Sequence, residues 1–117
     1  MKIGAIYLDD ICIVPRVWNA VSAWERTRGL LGRPPLQAGE GMLIRDCRLV
    51  HTLGMAYALD LAFLDRNGQV KKLVHGVLPT RLSGSLQAQQ TLELAPGTLA
   101  KITLKKGDVL AWREAGA

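Results

Sequence analysis

The stretch from Leu59 to Leu78 does most to limit what this chain can fold into. Leu59, Leu61 and Phe63 alternate with Asp60, Ala62 and Leu64, the period of a strand whose successive side chains leave opposite faces. Asp65-Arg66-Asn67-Gly68 then makes a turn, with Gly68 suited to a left-handed position. Gln69 to Leu78 returns as the partner strand, where Lys71-Lys72 marks a bulge or an exposed edge. A hairpin punctuated this clearly commits the chain to antiparallel pairing.

Further short runs repeat the pattern. Ile3 to Leu8 and Ile11 to Val14 are apolar and β-branched, and Asp9-Asp10 between them suggests a second hairpin. Pro15 confines the second run to an edge or an end, because proline cannot donate to a ladder. Met42-Leu43-Ile44, behind the turn glycines Gly39 and Gly41, reads as a buried strand. Thr91 to Leu94 is another, closed by Pro96-Gly97, and Val109 to Trp112 is the last, entered through Lys106-Gly107-Asp108. Pro79 to Ser85 reads as a loop and Thr98 to Ile102 as one helical turn.

One longer helix is expected over about residues 22–32. Ser22-Ala-Trp-Glu25 has capping-box spacing, in which each side chain satisfies a free backbone N–H at the other's position. Gly32, Pro34 and Pro35 supply the stop. Trp24, Thr27, Leu30 and Leu31 share the inward face, Glu25 and Arg26 look outward, and Gly29 signals close backbone packing. Six to eight short strands with one helix in the N-terminal half and no βαβ rhythm specify a mainly-β fold, a compact β-sandwich or a partly closed barrel. With 117 residues, 49% of them hydrophobic, and no repeat or linker, residues 1–117 read as a single domain.

Charge narrows the partners. The formal net charge is +5, but Lys and Arg come singly or in pairs among Asp and Glu, and aromatics are only 5%. A nucleic-acid binder gathers its cations on one face and adds stacking rings, so the pattern argues against that partner. No run approaches the roughly 18 apolar residues of a membrane span. Asp9 and Asp10 interrupt the first apolar run, so no export signal is read and the cytoplasm is the expected compartment. Cys12 and Cys47 make no disulfide framework, and Cys12 is expected to pack as a small hydrophobe.

Several motifs recur together in a known order: Glu25-Arg-Thr-Arg-Gly-Leu-Leu-Gly-Arg33, Gly41-Met-Leu-Ile44, His51-Thr-Leu-Gly-Met55, Leu59-Asp-Leu-Ala-Phe-Leu-Asp65 with Gly68, Leu92-Glu-Leu-Ala-Pro-Gly97 and Gly107-Asp108. In this the chain resembles the uncharacterised family catalogued as domain of unknown function 192. The resemblance runs from about residue 14 to residue 110. It implies a small mainly-β sandwich or barrel and no established activity. The chain departs from the family pattern at Ala56 and Ala58, where relatives often carry a basic residue and a proline. If a family site holds an anion through that charge, this chain has lost it or borrows one from Arg28 or Arg45.

The segment Cys47 to Asp60 concentrates the reactive side chains. Cys47, His51 and Met55, with His75, form a soft-ligand set suited to copper. Yet an extended strand would spread residues 47 and 55 over roughly 26 Å, and no close ligand pair such as Cys-x-x-Cys is present. Cys47, His51 and Asp60 can also be drawn as a nucleophile, base and orienting acid. The simpler reading is a packed cysteine and a histidine bonded to the backbone. Asp60 interrupts an apolar strand and must pair if buried, with Arg28 and the Thr52 hydroxyl as partners. Glu40 and Glu93 fall in unrelated segments, so no carboxylate pair is read. The sequence thus points to a non-catalytic binding or accessory module, presenting Arg28, His51, Thr52, Met55 and Asp60 to a protein or small-molecule ligand without cofactor or metal. The alternative is a small enzyme using His51 and Asp60 for acid–base chemistry, assisted by Cys47 or a metal.

Overall fold

The computed structural model describes residues 1–52 and 55–116. β1 (Lys2–Leu8) and β2 (Ile11–Ala20) form a hairpin across Asp9-Asp10, with Asp9 at φ 56°. β2 continues straight through Pro15, unlike the expected stop. Gly4 pairs with Val17 and Ile6 with Val14, so Pro15 and Arg16 oppose Ala5 alone. That bulge leaves the proline nitrogen outside the ladder.

α1 (Ala23–Arg28) follows, then β3 (Glu40–Arg45), parallel to β2. β4 (Leu49–His51) pairs with β7 (Leu82–Gly84), the second lying in the segment expected as a loop and the first in one given no element. β5 (Leu59–Leu64) and β6 (Val70–Val77) are the hairpin that the alternation specifies, with the ladder shifted at Lys71. β8 (Gln90–Leu94) pairs with both β3 and β5. α2 (Thr98–Ile102) and β9 (Leu110–Glu114) complete the fold.

The main sheet has seven strands in the order β6-β5-β8-β3-β2-β1-β9. It curls until its two ends almost meet. Gln69 bridges Val109, Val70 N–H donates to Asp108 O at 2.8 Å, and Leu110 N–H donates to Gly68 O at 2.8 Å. Gly68 has φ +88°, and a Cβ there would overlap the Leu110 carbonyl, so only glycine fits this contact. The architecture is a partly closed barrel.

Both faces of the central strands are buried, which explains why all six residues of β5 are inaccessible. One face gathers Ile6, Val14, Leu43, Leu64, Leu92 and Leu94 with Leu99 of α2. The other gathers Met42, Ile44, Leu61 and Phe63 under Leu30, Leu36 and Val50. This second face is roofed by α1, its outgoing turn and the stretch around β4.

Candidate functional site

The roof begins as the capping box requires. Ser22 Oγ accepts from Glu25 N–H at 3.1 Å, and Glu25 Oε1 accepts from Ser22 N–H at 3.1 Å. Hydrogen bonds from the N-terminal ammonium, Ser22 N–H and Val21 N–H lower the Glu25 pKa to about 2. The helix ends at Arg28, four residues short of the expected 32, because Gly29 takes φ 52° and caps it. No residue of α1 is buried and Trp24 is 71% exposed, contrary to the expected inward face. Of that expected face Leu30 is buried, but from the turn that follows the helix.

Beneath Gly29 lies a cavity of about 70 Å³, lined by Arg26, Arg28, Leu30, Ile44, Cys47, Val50, His51, Met55 and Glu93 among others. Its floor is Glu93 on β8, in register with Met42 of β3 and Leu61 of β5. Glu93 is only 4% exposed, and its Oε1 has no hydrogen-bond partner among the described residues. Burial pushes its pKa up to about 7, since a carboxylate out of water without a counter-charge favours the protonated form. Arg26, expected to look outward, lines the same cavity and has a buried Nε without a hydrogen-bond partner among the described residues, while its Nη1 lies 3.6 Å from Asp46 Oδ2. A Cβ on Gly29 would stand 3.9 Å from Glu93 Oε1.

Cys47, His51 and Met55 do meet at this cavity, although an extended segment would have separated them. The chain turns at Asp46, β4 is three residues long, and Met55 N–H returns to Thr52 O at 3.1 Å. His75 is exposed on β6 and outside the cavity lining. Among the described residues no three of His, Cys, Asp and Glu converge as metal ligands. Burial raises the Cys47 thiol above its ordinary pKa, and its Sγ donates to Leu49 O at 3.4 Å, so it is held as a thiol. Cys12, expected to be packed, is exposed on β2.

Asp60 and Thr52 lie apart from this space. Asp60 alternates with Leu59 and Leu61 and so faces the opposite side of the sheet. There its carboxylate accepts from Gly76 N–H at 2.8 Å and from Leu99 N–H at 2.9 Å, joining β6 and the start of α2 to β5. Neither Arg28 nor Thr52 is its partner. Thr52 Oγ1 is fully buried, accepts from Arg81 N–H at 2.8 Å and donates to Leu78 O at 2.7 Å. His51 and Asp60 therefore do not form an acid–base pair. Arg28 borders the cavity with its Nε on Leu31 O. Arg45 is engaged elsewhere, by Asn19 Oδ1 and Gln90 Oε1.

The sheet, its near-closure and the roofed central face define a small mainly-β domain with a half-open cavity beneath that roof. Residues 9–112 match domain of unknown function 192, described as "Uncharacterized ACR", and the chain belongs to that family. No curated protein matches. A protein from Sinorhizobium meliloti described as "a putative transcription regulator" has a similar structure, with TM-score 0.79, 20% identity, and coverage of 95% of this chain and 92% of that one. A protein of unknown function from Novosphingobium aromaticivorans is also similar, with TM-score 0.74, 20% identity, and coverage of 94% and 84%. At this identity the likeness concerns the fold.

Proposed function

We propose that this domain is a non-catalytic binding module whose small ligand occupies the cavity between α1 and the stretch 47–55. Glu93 carries the reading. A buried carboxyl with a free oxygen costs stability, and such a cost is commonly retained where a site needs the group. The Arg26 Nε, on a residue lining the same cavity, is another buried polar atom without a hydrogen-bond partner among the described residues. A bound molecule would satisfy both. A macromolecular partner is less well supported, because the unmet groups sit at the bottom of a recess of only about 70 Å³.

The test is a screen of small polar fragments by amide NMR, comparing the protein with its Glu93→Leu variant. Fragments that bind should shift the amides of residues 26–31 and 93, and the variant should lose those shifts. The same variant should melt higher by several degrees, having gained about 1–3 kcal/mol from removing an unpaired polar group. A variant that melts lower and still binds every fragment would show that Glu93 is structural.

A further inference from the structure

We infer that the ligand of this cavity is a small carboxylate, its oxygens held between the Arg26 guanidinium and the Glu93 carboxyl. The inference rests on reading the cavity as a ligand site and adds the chemistry of the occupant. Arg26 Nε can only donate, and Glu93 Oε1 donates whenever it carries the proton. Two buried donors on residues that line one recess call for an acceptor with two lone-pair centres, which a carboxylate supplies. A space of about 70 Å³ equals about two waters' share of the liquid, so only an acid as small as acetate fits. Leu30 and Ile44 give the alkyl part an apolar wall.

The charges around Glu93 favour the same class. α1 and its outgoing turn present Arg26 and Arg28, while the 47–57 side presents Cys47, His51 and Tyr57. Burial holds the Cys47 thiol and the Tyr57 phenol in their neutral forms. The β3 and β5 neighbours of Glu93, Met42 and Leu61, are apolar. Asp46, which pairs with Arg26, is exposed outside the recess. A cation would therefore meet two arginines. A phosphate dianion would bring more charge against Glu93 than one shared proton can offset. Two carboxyl groups in contact hold a single proton between them. With burial placing Glu93 at about 7, binding of a carboxylate above neutrality must take up a proton.

The experiment is an amide NMR titration with acetate, read at Gly29, Leu30 and Glu93 at constant ionic strength. The expected Kd rises about tenfold between about pH 6 and about pH 8, as linkage to one protonation near neutrality requires. Glu93→Gln, which keeps a neutral donor, should bind acetate with that pH dependence abolished. His75→Gln, exposed and outside the cavity lining, should leave affinity and pH dependence unchanged, and Arg26→Gln should lose binding. Affinity that tightens as pH rises, or persists in Arg26→Gln, overturns the inference. Acetamide and methylammonium are titrated alongside. If either shifts these amides and acetate does not, the carboxylate assignment fails and the ligand cavity stands. If none of the three does, both fail.

Discussion

At the scale of single residues, Glu93 shows where local pattern misleads. In Leu92-Glu93-Leu94 the sequence marks a strand and leaves Glu93 only as a carboxylate with no acidic partner. Its burial was not legible because β8 lies at the centre of the sheet and a roof of distant residues covers its outer face. Arg26 was hidden for a related reason: helical periodicity turned it outward, whereas it lines the cavity and buries its Nε. Asp60 is the converse case. Its place in an apolar strand announced a buried, paired group, but two backbone N–H donors far along the chain could not be named from spacing. Asp60→Ala strands those donors and should cost about 2–4 kcal/mol, measured by denaturant unfolding. The cysteines differ in burial, so iodoacetamide should label exposed Cys12 well before Cys47, followed by mass spectrometry. Faster labelling of Cys47 would mean that the thiol is activated rather than held.

Among the elements, the strands with alternation and clear turns were legible, and so was the start of α1. Its end was not. Gly29, expected inside the helix as a sign of close backbone packing, takes a φ of 52° and stops it. The early stop lets Leu30 drop into the roof and places Gly29 over the cavity. The β4–β7 pair escaped notice because three-residue strands carry too little pattern, and their pairing depends on long-range contacts. Since α1 buries no residue of its own, its cap should matter more than in a well-packed helix. Ser22→Ala should cost about 1 kcal/mol in thermal unfolding. It should also broaden the amide signals of residues 23–30, and an unchanged melting curve would mean the cap is dispensable.

At the scale of the whole molecule, hairpins and turns were enough to specify a mainly-β sandwich or partly closed barrel. The way the sheet's ends approach at Gly68 and Leu110 depends on curvature that no single segment encodes. Gly68→Ala strains a left-handed position and pushes on the Leu110 carbonyl, so it should cost about 1–3 kcal/mol and speed hydrogen exchange at Val70 and Leu110. The buried acid also has a global signature. In the unfolded chain Glu93 ionises from its ordinary pKa of 4.5, whereas in the folded chain it keeps its proton to about 7. Its folded pKa is raised, so its contribution is fully present below 4.5, is lost as pH rises, and is gone above 7. The decisive measurement is unfolding free energy against pH for the protein and its Glu93→Gln variant. The difference between them should shift by about 3 kcal/mol over that window, with the unmodified protein losing stability as pH rises. Parallel curves would contradict the account, because Glu93 would then be neither buried unpaired nor held in reserve for a ligand.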